Sequence, residues 1–545
     1  MKKYLSILAL LSIVSCQQKT HVDSIIFNAK VYTVDSNFEN AEAFAIKDGE
    51  FLEVGNSKDI LAKFESENII DAKGQTIVPG LIDAHAHFLT LGQLQQQVNL
   101  VGSVSFDDMM NRVIEFQNQN NMAFIKGRGW DQNDWIDKEM PTKLLLDKLF
   151  PNTPIALTRI DGHASFCNQA ALDLGNITVN TKIEGGEIEV KNGQLTGILM
   201  DNAEQLVMDN WPKLTKKELI QALLKAQEIC LKNGLTSLSE AGPDIFTTPW
   251  IETINLIDSL QKAGDLKIRL YMMVPGTKTN LDHYLKKGIY KTDKLNVRSF
   301  KFYADGALGS RGALLRQPYT DKQTTFGISV MSLTEMESGA SRIANSEFQM
   351  NTHAIGDSAN HAVLNIYKNA LEGKKDRRWR IEHAQVISPE DFELFNEIIP
   401  SVQPTHATSD MYWAEDRLGP ERIKGAYAYK QLLEAYGKIA LGTDFPVEQV
   451  NPFLTFYAAV ARQDLKQYPE GGYQTENALT REETLKGMTI WAAYSNFEEN
   501  EKGSIEAGKF ADFVILDQDI MDVDIHKVPN TKVIQTFING EPLLN

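Results

Sequence analysis

Cysteine is scarce, with three in 545 residues. Cys16 closes an apolar run at the N-terminus, which leaves Cys167 and Cys230 for the body of the chain, without any CxxC spacing. That is too few for a disulfide framework, so stability must come from a buried core. An excess of positive charge is also missing. Lysine and arginine number 55 against 72 acidic residues, a net charge of −17. Nucleic acid or an anionic membrane face would each call for a basic patch, so neither is expected as a partner. Tandem repeats and low-complexity tracts are absent, which excludes solenoids and disorder as accounts of the chain.

What is present is an ordinary globular composition, 43% hydrophobic and 23% charged. The length predicts two to four structural units, although a barrel enzyme can take most of it. Association between copies of the chain is compatible with these totals. The N-terminus carries Lys2 and Lys3, an apolar run over 4–14, and then Ser15 and Cys16. The run is too short to span a membrane as a helix and reads as an export signal. IVSC resembles the lipobox of bacterial lipoproteins. That resemblance implies a signal peptide over 1–15, lipidation of Cys16, and a chain tethered in the cell envelope, facing the periplasm. An ordinary cleaved signal followed by an incidental cysteine is the alternative.

Residues 22–54 read as strands, with a hairpin turn signal at Asp48-Gly49. GSIEAGKFADFVILD and VIQTFINGEPLL, within 503–544, repeat that style of short apolar strand with glycine turns. The two ends, 16–78 and 501–545, are expected to pair into one small β-sandwich domain. Between them, over 79–500, short apolar runs alternate with helical patterns at 216–232, 250–263, 333–345, 358–371 and 480–494. The last opens on a capping box, Thr480 and Glu483. Eight strand candidates are LIDAHAH, LTSLSEA, IRLYMMV, SFKFYADG, QMNTHAIG, WRIEHAQ, PSVQPTHA and IALGTD. Eight strands alternating with helices predict an α/β fold, a (β/α)8 TIM barrel with its site at the C-terminal strand ends. The span exceeds a plain barrel, so an inserted subdomain is expected at about 101–208, as a lid or substrate-binding piece.

The stretch PGLIDAHAH is central. The period of two along a strand puts His85 and His87 on one side, half of a site for zinc or another divalent metal. Further along, Lys301, His353, His383 and Asp444 each follow apolar residues at a proposed strand end. Each has a bland reading by itself: a turn cap, a satisfied core histidine, a helix cap. Agreement of position across the strand ends favours a site.

PGLIDAHAH, SFKFYADGALGSRGA, THAIGD, RIEHAQ, LGTDFPV and GSIEAGKFAD resemble the amidohydrolase superfamily, and within it the YtcJ-like, amidohydrolase-3 branch. The resemblance implies that His85 and His87 hold the more buried of two metals. It implies that Lys301 is carboxylated by carbon dioxide to a bridging carbamate, and that His353 and His383 hold the second metal. Asp444 would be ligand and catalytic base. One or two zinc ions per chain are expected, with a mononuclear site as the fallback if Lys301 stays a cation. Trp130 and Asp131 in GRGWDQNDW, His163 in RIDGHASF, Asp305, Arg311 and His406 are candidates for contact with a small-molecule substrate. For the tryptophan, subdomain core is an equal reading. The expected reaction is hydrolysis of a non-peptide C–N bond of an N-substituted amide or formamide. Ester or lactone hydrolysis, deamination of a heterocycle, and ligand binding without turnover by a lipoprotein are the alternatives.

Overall fold

The computed structural model describes residues 19–183, 185–242 and 249–543. Cys16 and the expected signal peptide lie outside them. No helix among the described residues is long and apolar enough to cross a membrane. The chain forms two compact units, one from residues up to Phe88 together with Gln227 onward, the other from Leu89–Ala226.

The first unit contains eight parallel strands in sequential order: β1 (Leu81–Ala86), β2 (Leu235–Glu240), β3 (Arg269–Pro275), β4 (Leu295–Tyr303), β5 (Gln349–Ala354), β6 (Arg380–His383), β7 (Ile399–Val402) and β8 (Ala440–Leu441). All eight expected runs are strands, and together they make a nearly closed barrel. β1, β2, β3, β6 and β7 are buried at every position, as parallel strands covered on both faces must be. The seam between β8 and β1 is closed just past the strands, where Asp444 N donates to His85 O and His87 N to Phe445 O, each at 2.8 Å. Buried Asp83 reinforces it, accepting from His85 N, Thr443 N and Thr443 Oγ1 at 3.1, 3.0 and 2.7 Å. Gly442 is needed there, because an added Cβ would stand 2.5 Å from His85 N.

Two sheets stand beside the barrel. One has four strands, all from 24–71; the other has six and joins Lys30–Tyr32 and Thr76–Pro79 to Phe513–Leu516 and Val533–Ile538. Thus only the second sheet uses both chain ends. Their facing sides share one core, in which Phe44 of the first sheet meets Phe513 of the second edge-on, centroids 4.9 Å apart. The Asp48-Gly49 turn has φ of 53° and 80°, the double left-handed conformation of a two-residue hairpin. Thr76–Pro79 runs through Gly80 directly into β1. Arg269 at the start of β3 ties the barrel to the C-terminal strands: it meets Asp512 through Nε at 2.6 Å and Nη2 at 2.9 Å, with both residues buried.

Four expected helices appear at their sites, two with the same bounds, Lys216–Lys232 and Trp250–Ala263. The fifth, 480–494, is two helices, Arg481–Gly487 and Ile490–Ser495. Its capping box is formed, but Met488 O accepts from Ile82 N of β1 at 2.8 Å, and Thr489 leaves helical geometry at φ −141°, ψ −98°. Docking on the barrel overrides the continuous helical pattern.

The second unit contains the expected insertion with wider bounds. A six-stranded sheet and its helices enclose Met109, Trp130, Trp135, Ile155 and Phe166.

Removing Asp512 strands a buried guanidinium, so Asp512→Ala should lower the unfolding free energy by about 3–5 kcal/mol. Denaturant titration of the purified chain measures this; a loss under about 1 kcal/mol, as for a surface pair, would refute the buried-tie reading.

Candidate metal centre

The strand ends bring His85, His87, Lys301, Asp305, His353, His383, His406 and Asp444 around one cavity of about 560 Å³ in the first unit. His85 and Lys301 lie within strands, at 0% and 2% exposure, and His87 directly follows β1. Lys301 Nζ is 3.3 Å from His85 Nε2. His383 ends β6, its ring centroid 4.9 Å from that of His85 and 4.4 Å from that of His353. His406 is in the helix Pro404–Asp410 that follows β7, one turn beyond the strand end. Its Nε2 is 3.7 Å from Asp444 Oδ2.

Two ring orientations are set by what lies behind them. His85 Nδ1 is 2.5 Å from Glu382 Oε2, and His87 Nδ1 donates to the carbonyl of Gly242. A carbonyl only accepts, and an ionised carboxylate only accepts, so both Nδ1 atoms carry hydrogen, and each ring in its neutral form presents an Nε2 lone pair. Those lone pairs point at Asp444 Oδ1, 3.6 Å from His85 and 3.0 Å from His87. Lone pairs converging on a carboxylate oxygen in a buried place need a cation between them. Among the described residues, His353 Nε2, His383 Nδ1, His406 Nε2 and Asp444 Oδ1 have no hydrogen-bond partner. Two sets of ligand atoms, His85-His87-Asp444 and His383-His406-Asp444, each lie within 4.8 Å of one another. The donor set fits a divalent metal, with Asp444 as the shared corner.

Electrostatics keeps these groups in the ligating state. Burial and the Lys301 charge push His85 down to about 4 and His353 down to about 3, and burial takes His383 well below the usual imidazole range. Burial pushes Asp444 up, but contact with His87 and the neighbouring imidazoles wins and holds it well below the usual carboxylate range. Glu382 follows the same pattern: burial raises it, and Arg380 with His85 brings it down to about 2. Metal binding needs neutral imidazoles and ionised carboxylates.

His383, Ala384 and Asp444 have φ of 73°, 43° and 63°, the left-handed region that costs a residue with a Cβ. At His383 this breaks the strand's alternation, so consecutive Glu382 and His383 both reach His85.

Five expected contacts stand elsewhere or act otherwise. Trp130 is not a substrate wall: it is fully buried in the second unit's core, with Nε1 donating to Leu157 O at 2.7 Å. Asp131 caps a short turn by accepting from Asn133 N at 2.9 Å. His163 is 72% exposed and pairs with Asp201 at 2.8 Å, which raises its pKa. Arg311 does not line the cavity; its guanidinium is held by Asp321 at 2.7 and 3.1 Å. Asp305 lines the cavity, but its carboxylate is committed to the backbone N–H groups of Leu314, Ile355 and Gly356, at 2.8–3.0 Å. Sequence reasoning missed Glu382 and Asp83 as supports, although a carboxylate inside an otherwise buried strand was the available signal.

A parallel barrel with histidines, a lysine and an aspartate at its strand ends, beside a small β-sandwich, is the architecture of a metal-dependent hydrolase. The Amidohydrolase family model matches residues 68–544, and the chain belongs to that family, as a hydrolase acting on carbon-nitrogen bonds. It is 30% identical to the putative amidohydrolase YtcJ of Bacillus subtilis (strain 168), over 94% of this chain and 97% of that one. It is 26% identical to an N-substituted formamide deformylase of Arthrobacter pascens, over 95% and 97%. An uncharacterised metal-dependent hydrolase of Pyrococcus furiosus superposes with a TM-score of 0.76 at 28% identity, covering 92% of this chain and all of that one.

If Glu382 orients His85, Glu382→Gln should weaken metal affinity by about 10–100-fold with the fold retained. Competition with a chromogenic chelator, alongside circular dichroism, reads both; unchanged affinity would remove Glu382 from this role.

Proposed function

We propose that the chain hydrolyses a non-peptide C–N bond of an N-substituted amide or formamide, with Asp444 as the base. The observation that carries this is the convergence of the His85 and His87 Nε2 atoms on Asp444 Oδ1 beside a cavity. His85, His87, His383, His406 and Asp444 would hold zinc, one or two ions, with His353 within reach of His383. Bound there, a divalent metal lowers the pKa of water and polarises a carbonyl oxygen. Asp444, ionised and with one oxygen free of hydrogen bonds, takes the proton released as water attacks. It then delivers that proton to the departing nitrogen, so the amine leaves neutral.

Lys301 is the proposed site of carboxylation. As a cation it cannot ligate a metal, whereas a carbamate on Nζ would carry oxygens into the space beside His85 Nε2. The tight seat of Lys301 supports its being part of the centre. The formamide choice is supported by the relative in Arthrobacter pascens. The same residues could serve an ester, a lactone or a heterocyclic amine, and no observation in the cavity favours those.

The chain is proposed to act from the cell envelope, anchored through an acylated Cys16 and facing the periplasm. The support is the pattern of Lys2 and Lys3, the apolar run and Ser15-Cys16.

Asp444→Asn keeps the shape of the side chain and removes the proton acceptor. Turnover of an N-formyl substrate should fall by about a hundredfold to ten-thousandfold, with the circular dichroism spectrum unchanged; near-normal rates would exclude Asp444 as base. For the anchor, Cys16→Ser should move the expressed protein from the membrane to the soluble fraction and abolish incorporation of labelled fatty acid. Equal labelling of both forms would refute lipidation at Cys16.

A further inference from the structure

The wall of the cavity built on the helix that also carries His406 has its own charge pattern. Asp410 and Glu448 both line it, and Ser409 between them donates to Glu448 Oε1 at 2.8 Å. Asp410 Oδ2 accepts from Tyr427 Oη at 2.8 Å and Gln385 Nε2 at 3.1 Å, so the carboxylate is held in place. Its Oδ1 has only a 3.4 Å approach from the same Ser409 hydroxyl, whose one proton is already directed at Glu448. Among the described residues neither carboxylate forms a salt bridge, and no arginine lines the cavity. The lysine that does, Lys301, sits against His85. Burial pushes Asp410 up, neighbouring His406 and the Tyr427 hydroxyl offset part of this, and the Glu448 charge adds to the rise.

Two carboxylates that feel each other, with no lysine or arginine among the described residues paired to either, are costly in a half-buried wall. Their arrangement is kept rigid by neutral donors that satisfy hydrogen bonds without cancelling charge. Trp413 lines the same cavity, with the Arg417 guanidinium 5.6 Å from its ring centroid. The same cavity holds Asp444 and the histidines proposed to bind the metal, so a substrate at that centre lies along this wall.

We propose that this cavity selects substrates that bear a positively charged group, an ammonium or a guanidinium, beside the scissile C–N bond, with Asp410 and Glu448 as the counter-charges. This rests on the hydrolytic reading of the same site and names its substrate class. An anionic substituent would meet the same two carboxylates and be repelled. The net charge of −17 works in the same direction, drawing cations toward the protein.

The test uses the full metal-loaded chain and two matched pairs of compounds. The N-formyl derivative of a diamine is set against that of an alkylamine of equal length, and the N-methylamide of an ω-amino acid against that of the plain alkanoic acid. Calorimetric binding and initial rates are both measured. In at least one pair the charged member should bind about tenfold more tightly at low salt, the margin narrowing as ionic strength rises. Glu448→Gln and Asp410→Asn should each cut that ratio by roughly threefold or more. Asparagine keeps an oxygen for Tyr427, and Glu448→Gln carries the test if the Asp410 variant fails to fold. Equal binding within both pairs, or a preference that survives in whichever variant folds, overturns the proposal. Charge-selective binding without turnover of any N-acyl compound upholds the selectivity and refutes the hydrolytic reading; turnover without charge selectivity does the reverse.

Discussion

The chain Arg380–Glu382–His85 is the constraint on which the centre depends. All three side chains are at most 1% exposed. A carboxylate in such a place would ordinarily take up a proton, and a protonated Glu382 could no longer fix the hydrogen on His85 Nδ1. Arg380 prevents this, with Nε 2.7 Å from Glu382 Oε1. The guanidinium also donates to Ala84 O of β1, Ser401 Oγ of β7 and Asn496 Oδ1, so it crosses the barrel interior and is itself fixed from three sides. A buried ion pair is weak evidence for stability, because desolvation offsets much of the attraction. Its effect here is positional: it decides which imidazole nitrogen looks at Asp444.

The remaining features of the site follow from holding unlike groups close together without water. The imidazoles are kept neutral by burial, the carboxylates are kept ionised by their partners, and three residues at the rim accept left-handed backbone. Local strain and unpartnered polar atoms are expected where geometry is over-determined by the surrounding fold. Any cation that bridges these atoms favours the folded state by mass action, so the centre and the barrel support each other.

Much of the barrel was readable in the sequence because parallel strands buried on both faces write themselves as unbroken apolar runs. The chemistry shows as the polar residue that interrupts each run near its end. This is how His85, His87, Lys301, His353, His383 and Asp444 stood out, and the structure gathers them around one cavity. What was not readable depends on contacts between distant residues. Nothing in RIEHAQ says that Glu382 faces His85, since strand alternation would send one of Glu382 and His383 away, and only the φ of His383 brings both inward. Trp130 shows the opposite failure: an aromatic beside polar residues suggests a binding wall, but its burial depends on which helices pack over it. The helix expected at 480–494 broke for a similar reason, a carbonyl diverted to a strand some four hundred residues earlier. The acidic wall formed by Asp410 and Glu448 lies in segments without any periodic signal, and only the fold places the two side by side.

The seam of the barrel has a consequence in time. The hydrogen bonds that close it belong to the same short segments that carry the ligand residues, and the pairs they join are about 360 residues apart, as for Asp83 and Thr443. During synthesis, His85 and His87 are therefore made early and wait, without Asp444, until residues near 444 have emerged. Contacts of such long sequence separation form late. Closure of the barrel and assembly of the centre are then one event. A chain that stops short of the last strand has neither a sealed barrel nor a complete ligand set, so no half-built intermediate can offer a finished site to a metal ion before the fold is ready to hold it.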